Sequence, residues 1–133
     1  MKYLHTMLRV VDLEKSLKFY RDGLGFEVVK RDDYPDGKFT LVFLRAGGDV
    51  GGASDNVPMI ELTHNWDRKE PYDLGTAFGH LAIGVDDIYG ICEKLAAAGV
   101  KVPRPPGPVK GGTTVIAFIE DPDGYKIELV DRL

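Results

Sequence analysis

Cysteine is almost absent from this chain of 133 residues, which contains only Cys92. A single cysteine cannot form an intramolecular disulfide, and the zinc sites built from several thiolates are excluded as well. The reducing cytoplasm is therefore the compartment that the sequence predicts. Cys92 lies on the apolar stripe of a predicted helix, so we interpret it as a buried core thiol and not as a nucleophile.

A long apolar run and a surplus of basic residues are missing as well. No segment approaches the ~18 apolar residues that cross a bilayer, and His5 and Arg9 interrupt the N-terminal stretch where a signal peptide would be apolar. The formal net charge of −4 argues against nucleic acid or a membrane surface as a partner. Any acidic ligand must then be held by a few local cations. With 44% hydrophobic and 29% charged residues, the composition is that of a globular protein with its own core.

An internal repeat divides the chain into two copies, which start near residues 4 and 79. An offset of 75 residues brings equivalent residues together: His5 with His80, Asp12 with Asp87, and Phe43 with Phe118. The tripeptide Ile-Glu-Leu occurs near the end of both copies, after a longer loop between 46 and 58 in the first. We therefore predict a single domain, 1–133, built from two modules, 3–64 and 77–131.

Each copy is predicted to form a strand, a helix and three further strands, so the fold class is α+β with tandem βαβββ modules. Asp12 and Asp87 are suited to cap the two helices, and Gly25 and Gly99 to end them in the left-handed conformation. Apolar residues recur at helical spacing in the first helix: Leu13, Leu17, Tyr20 and Leu24. In the second copy VKVP, residues 100–103, predicts the strand after the helix. The stretch 103–112, PRPPGPVKGG, is too rich in proline and glycine for regular structure and predicts a flexible loop suited to a lid.

Four side chains of the metal-ligand type fall on the sheet faces that the helices leave uncovered. Side chains alternate across a strand, so the apolar residues face the helix and the intervening polar residues face away from it. This alternation assigns one His and one Glu per module to the uncovered face: His5, Glu61, His80 and Glu128. Two imidazoles and two carboxylates suit a divalent ion such as Zn, Ni, Co, Mn or Fe. His64 falls at the end of its strand, and we interpret it as a loop residue and not as a fifth ligand.

The motifs around these four residues resemble one known family. They are His5 in LHTMLRV, Glu61 in IELTHNW, His80 in GTAFGHLAIGV and Glu128 in PVKGGTTVIAFIEDPDGYKIELV. They are similar to the four metal-ligand motifs of glyoxalase I, the lactoylglutathione lyase of the vicinal oxygen chelate superfamily. The resemblance covers nearly the whole chain and implies curved mixed sheets around an open metal cavity. It also implies the detoxification of methylglyoxal: its hemithioacetal with glutathione is isomerised to S-D-lactoylglutathione through an enediolate.

The same resemblance implies roles for individual residues. Glu128 is expected to be the catalytic base, and Glu61 a metal ligand that helps to return the proton. The residues expected to contact substrate are Arg9 and Asn65 at the glutamyl end of glutathione, Lys110 and Gly111 at its glycyl end, and His80 at the metal. Trp66 and Met7 are expected to wall the cavity. Eukaryotic members carry an arginine where this chain has Thr76, so the resemblance does not extend to that contact.

The compact chain resembles the bacterial subgroup that nickel or cobalt activates, so Ni²⁺ or Co²⁺ is the expected cofactor, with Zn²⁺ also compatible and glutathione as co-substrate. In this superfamily the first module of one subunit often meets the second module of another. By that analogy His5 and Glu61 of one chain join His80 and Glu128 of a second, which gives a homodimer with its sites at the subunit interface. The sequence equally allows the four residues to meet within one chain.

Two other functions occur on the same fold. An Fe(II) extradiol dioxygenase uses two His and one Glu, so a fourth residue of the ligand type argues against that function. A metal-free protein that sequesters a drug such as bleomycin does not need four such residues on equivalent strands. Replacing Glu128 by Gln separates these functions, because a lyase loses turnover whereas a sequestering protein keeps its affinity.

Overall fold

The computed structural model of the protein describes residues 1–47 and 57–132. The chain divides into two compact units, Met1–Tyr72 and Asp73–Leu133. The longer loop predicted for the first copy lies mostly outside the described residues. No helix in the described part of the chain has the length and apolar character needed to cross a membrane.

Unit 1, Met1–Tyr72, is a four-stranded sheet with one helical segment. Its elements are β1 (His5–Arg9), α1 (Leu13–Leu17), a π-helical segment (Lys18–Gly23), β2 (Glu27–Tyr34), β3 (Phe39–Arg45) and β4 (Met59–Asn65). The strand order is β1-β4-β3-β2. β1 pairs in parallel with β4, whereas β3 is antiparallel to both β4 and β2. The first and last strands of the unit are therefore neighbours.

The limits of the first helical segment follow from local chemistry. The Asp12 carboxylate accepts a hydrogen bond from the Lys15 N–H at 3.1 Å, and Gly25 ends the segment at φ +76°. The apolar face of the sheet is buried by the helix, as the almost inaccessible residues of the unit show: Leu8, Val10, Leu13, Leu17, Tyr20, Val42, Leu44 and Leu62.

Unit 2, Asp73–Leu133, repeats this topology. Its elements are β5 (Leu81–Val85), α2 (Ile88–Ala97), β6 (Arg104–Pro108), β7 (Val115–Glu120) and β8 (Lys126–Asp131). The strand order is β5-β8-β7-β6, with β5 parallel to β8 and β7 antiparallel to both of its neighbours. The two mixed sheets confirm the predicted fold class, a tandem of βαβββ modules.

The helix of unit 2 is capped as the sequence predicts. The Asp87 carboxylate accepts a hydrogen bond from the Gly90 N–H at 3.1 Å, and Gly99 adopts φ +90° after the helix. A Cβ atom at position 90 would collide with the Asp87 carboxylate, so glycine suits this cap. The core beneath the helix contains Ile88, Cys92, Leu95, Ala117, Ile119, Ile127 and Leu129. Cys92 is thus the predicted core thiol, and burial raises the pKa of that thiol above its usual value.

The prediction of a loop over 103–112 is partly wrong, because β6 occupies Arg104–Pro108 and the predicted strand VKVP does not form. β6 is an edge strand, where proline is tolerated because its missing N–H faces away from the sheet. The Arg104 guanidinium donates hydrogen bonds to the carbonyls of Gly107 at 3.1 Å and Ile116 at 2.6 Å. These bonds bridge the irregular register between Arg104 and Gly107. A side chain thus replaces part of the backbone ladder.

The prediction of one regular helix through Leu24 is also wrong, because a π-helical segment follows Leu17. The N–H of Leu24 donates to the carbonyl of Phe19, five residues earlier, at 3.0 Å. The wider turn buries two consecutive aromatic side chains, Phe19 and Tyr20, whose rings meet edge to face at 4.8 Å.

Candidate functional site

In unit 1 the predicted ligands His5 and Glu61 are in contact. Glu61 on β4 lies in register with Met7 of β1, and His5 comes two residues earlier, on the same side of β1. The Nε2 atom of His5 and the Oε1 atom of Glu61 are 2.7 Å apart, and their side chains are 33% and 13% exposed. The Thr63 hydroxyl donates a long hydrogen bond of 3.4 Å to Oε2 of the same carboxylate. Glu61 is therefore held from two sides.

Unit 2 contains the equivalent pair in the equivalent register. Glu128 on β8 lies opposite Ala82 of β5, and His80 comes two residues before Ala82. The distance between His80 Nε2 and Glu128 Oε1 is 3.5 Å, and the side chains are 42% and 21% exposed. This second pair is more open than the first, and Glu128 is held less tightly than Glu61.

An aromatic ring accompanies each pair, which the sequence analysis aligned but to which it assigned no role. Phe43 lies directly opposite Glu61 in the β3–β4 ladder, and Phe118 lies directly opposite Glu128 in the β7–β8 ladder. The His5 and Phe43 rings meet edge to face at 5.5 Å, and the His80 and Phe118 rings at 5.1 Å. The offset of 75 residues aligns Phe43 with Phe118, and strand alternation could have placed both on the uncovered face.

The donor set of each pair is suited to a divalent cation. Each pair offers one imidazole nitrogen and one carboxylate on the solvent side of its sheet, while the following residues, Leu62 and Leu129, are fully buried on the helix side. Within the described part of either unit, no three His, Cys, Asp or Glu side chains lie together as a metal-binding group. One unit therefore supplies two ligands, which is half of the predicted set of four.

Two of the predicted substrate residues lie on the same face of unit 1 as the first pair. Arg9 and Asn65 are the last residues of β1 and β4, four residues beyond His5 and Glu61 respectively. At ~3.3 Å per residue this places them ~13 Å further along the same two strands. The Asn65 side-chain amide donates a hydrogen bond of 3.2 Å to the Tyr72 hydroxyl. A polar strip thus continues from the first pair along the sheet.

Two further predicted substrate residues, Lys110 and Gly111, lie in the turn of the β6–β7 hairpin. The turn is closed by a hydrogen bond of 2.8 Å from the Val109 N–H to the Thr114 carbonyl, and Gly111 adopts φ +81°. Lys110 is exposed, and no hydrogen bond or ion pair joins its ammonium group to any other described residue. The structure does not bring Lys110 into contact with His80 or Glu128.

A separate cleft of about 540 Å³ lies in unit 1, lined by the first turn of α1 and by β2, β3 and the end of β4. His64 lines it, so the interpretation of His64 as a loop residue is wrong: it belongs to β4, opposite Thr40. Trp66 lines the same cleft and donates a hydrogen bond of 2.9 Å to the Thr40 hydroxyl, which donates to Asp33 at 2.6 Å. Trp66, which was expected to wall the metal cavity, thus contributes to this cleft, where its ring N–H bonds to β3.

Comparison with known proteins identifies the family. The sequence model of the Glyoxalase/Bleomycin resistance protein/Dioxygenase superfamily matches residues 2–129. The chain belongs to this superfamily. It is 58% identical over 127 residues to the probable lactoylglutathione lyase of Synechocystis sp., a match that covers 96% of this chain and 92% of the relative. It is 54% identical over 132 residues to the lactoylglutathione lyase of Neisseria meningitidis serogroup A, covering 99% and 91% of the two chains.

The fold of the chain also matches the crystal structure of a glyoxalase I. The crystal structure of glyoxalase I from Zea mays superposes with a TM-score of 0.88 at 44% sequence identity. The match covers 98% of this chain but only 44% of the Zea mays chain. Together with the sequence relatives, it confirms the resemblance to the glyoxalase I family of enzymes that the motifs predict.

Proposed function

We propose that the protein is a metal-dependent lactoylglutathione lyase, which isomerises the hemithioacetal of methylglyoxal and glutathione to S-D-lactoylglutathione. The observation that carries the proposal is the repeated His–Glu pair, which occupies the same register in both sheets. A binding protein without a metal has no need for this arrangement to occur twice. The names of the relatives from Synechocystis sp. and Neisseria meningitidis give the same activity.

The proposed cofactor is a divalent ion held by His5, Glu61, His80 and Glu128. Imidazole and carboxylate donors fit such an ion, and the absence of thiolates favours a site that exchanges ligands over a closed structural one. Ni²⁺ or Co²⁺ is favoured, and Zn²⁺ is compatible. When bound, the ion supplies Lewis acidity that stabilises negative charge on the substrate oxygens.

Glu128 is the proposed base, which removes the proton from the carbon next to the carbonyl group. Its carboxylate is the more exposed of the two, 21% against 13% for Glu61, and its contact with histidine is longer, 3.5 Å against 2.7 Å. A less constrained carboxylate is better placed to accept a proton from substrate. Glu61, held by both His5 and Thr63, is the proposed ligand that assists proton return to the neighbouring carbon.

Glutathione carries two carboxylates, and the proposed contacts place cationic or polar groups at both ends of it. Arg9 and Asn65 are assigned to the glutamyl end, because they continue the polar strip beyond the first pair. Lys110 and Gly111 are assigned to the glycyl end, with His80 at the reacting centre. The exposed Lys110 ammonium group is available to bind a ligand carboxylate. Its positive charge offsets, near the substrate, the net negative charge of the chain.

The proposed assembly is a cytoplasmic homodimer in which each chain is one domain, 1–133, of two modules, 3–64 and 77–131. Among the described residues each unit supplies two ligands, so a site with four ligands needs two units, here proposed to be one of each kind. In a dimer with sites at the subunit interface, the two pairs come from different chains. The match to less than half of the Zea mays chain supports this arrangement, since that chain has room for two copies of this one. Sedimentation of the purified protein tests the dimer.

The test of the activity uses metal-stripped protein with methylglyoxal and glutathione, and it follows thioester formation by ultraviolet absorbance. We expect no turnover without metal and recovery with added divalent ions, best with Ni²⁺ or Co²⁺. Absence of product with every ion would contradict the lyase function, and full recovery with Zn²⁺ alone would contradict the metal preference. Oxygen uptake with a catechol substrate would instead identify a dioxygenase.

A further inference from the structure

The two imidazoles of the proposed site share one unusual feature. A metal-binding histidine usually donates its second ring N–H to a carboxylate, a backbone carbonyl or water, and this bond fixes the orientation of the ring. Among the described residues, neither His5 nor His80 makes such a bond through Nδ1. Each imidazole instead contacts the glutamate of its unit and one phenylalanine ring.

These ring contacts require the side chains to lean toward each other. His5 and Phe43 belong to β1 and β3, which are separated by β4, so their backbones lie two strand spacings, ~9.6 Å, apart. The ring centroids are nevertheless only 5.5 Å apart, above the position of Glu61. In unit 2 the same geometry joins His80 and Phe118 across β8 at 5.1 Å. The interplanar angles, 77° and 78°, are also the same.

We propose that Phe43 and Phe118 are positioning residues that hold the imidazoles of His5 and His80 with Nε2 directed to the glutamate of the same unit. Rotation of an imidazole about its last side-chain bond is only weakly restricted by intrinsic preference. The carboxylate fixes one atom of the ring, and the edge-to-face contact fixes its plane. The ligand atoms are then already oriented before an ion arrives, which reduces the cost of binding it. The effect on ion binding rests on the proposed function.

The role of Phe118 is expected to be the larger of the two. His80 precedes the first residue of β5, whereas His5 is the first residue of β1 and takes part in its ladder. The His80–Glu128 contact is also longer than the His5–Glu61 contact. The backbone and the carboxylate therefore constrain His80 less, and more of its orientation depends on the aromatic ring.

The test begins with metal-free protein and the NMR resonances of its three histidine rings. Replacing Phe118 by Leu is expected to shift the ring resonances of His80, and replacing Phe43 by Leu those of His5, while His64 stays unchanged in both. Phe39→Leu is the matched control, because Phe39 lies on β3 and stacks on Tyr34 at 4.8 Å. Unchanged His80 and His5 resonances in the Leu variants would overturn the proposal.

The second measurement is the affinity for Co²⁺, followed by visible absorption against a competing chelator. We expect ~10-fold weaker binding in Phe118→Leu, the size typical of losing an outer contact to a ligand. Phe118→Tyr, which keeps the ring, should restore both the affinity and the His80 resonances, and Phe39→Leu should alter neither. Unaltered Co²⁺ affinity in Phe118→Leu, or failure of Phe118→Tyr to restore it, would overturn the positioning role. If the unsubstituted protein binds no Co²⁺, the proposed function fails, and the NMR comparison alone decides whether the phenylalanines hold the imidazoles.

Discussion

The two units differ most on the face that the helix covers and least on the face that carries the His–Glu pair. In unit 1 the helix has five residues and continues as a π-helical segment, whereas α2 in unit 2 has ten regular residues. On the opposite face the histidine stands two residues before the partner of the glutamate in both units. Helices of many geometries can cover an apolar sheet face, because the hydrophobic effect is non-directional. A ligand pair depends on strand register, which a shift of one residue would destroy.

The largest difference between the units is expected when the carboxylate of each His–Glu pair is replaced in turn. Glu128→Gln is expected to lower kcat by a factor on the order of 10²–10⁴, the contribution of a general base, even when metal saturates the site. Glu61→Gln should lower kcat less, because its proposed role is to bind the metal and assist. Steady-state rates of thioester formation, measured with the metal content of each variant, make the comparison.

Glu93→Gln is the matched control for that experiment, since Glu93 is an exposed residue of α2, the helix that covers the opposite face of the sheet. Its rate should be unchanged within experimental error. Equal losses in Glu61→Gln and Glu128→Gln would remove the assignment of Glu128 as the base.

The cores of the two units are expected to respond alike. Leu62 and Leu129 follow the two glutamates, and both are fully buried. Replacing either by Ala removes apolar contacts and leaves a cavity, which should lower the free energy of unfolding by about 2–5 kcal/mol. Urea denaturation measures this, with Leu4→Ala as the exposed control, for which a change of less than ~0.5 kcal/mol is expected. A much smaller loss of unfolding free energy at one position would show that the core of that unit is less tightly packed.

A smaller difference is predicted for the hairpin turns. The β2–β3 turn of unit 1 places Lys38 at φ +54°, whereas the β6–β7 turn of unit 2 has glycine at φ +81°, Gly111. Left-handed backbone costs a side-chain residue about 1–2 kcal/mol, so Gly111→Ala should destabilise by that amount, with no collision adding to it. Lys38→Gly should relieve strain, offset in part by glycine entropy, and thermal unfolding should show no loss of stability. Destabilisation by Lys38→Gly would indicate that its ion pair with Asp67 outweighs the strain.

Much of the local structure could be predicted from the sequence, because alternation and capping are local properties. Both aspartate caps and both glycine ends form as predicted. The sheet face on which His64 lies could also be predicted, since His64 comes two residues after Leu62 on the same strand. The order of the strands in the sheet could not be predicted from the alternation of side chains. The structure shows that β1 lies beside β4, and hence that His5 contacts Glu61.

The remaining misses have physical causes that lie outside local patterns. Proline content argued against a strand at 104–108, but an edge position removes the objection and Arg104 supplies the bonds. Helical spacing cannot reveal a widened turn, because the burial of Phe19 beside Tyr20 is decided by packing. The roles of Phe43 and Phe118 needed ring geometry, which no spacing contains.

The parallel pairing of the first and last strands of a unit also determines when its His–Glu pair can form during synthesis. During synthesis the histidine of a unit leaves the ribosome early, and its glutamate follows only with the final strand, β4 or β8. Such contacts between distant segments form late, because the intervening loop must close first. A chain that ends before β4 or β8 therefore lacks the paired donors of that unit, and the His–Glu contact is a marker of a completed unit.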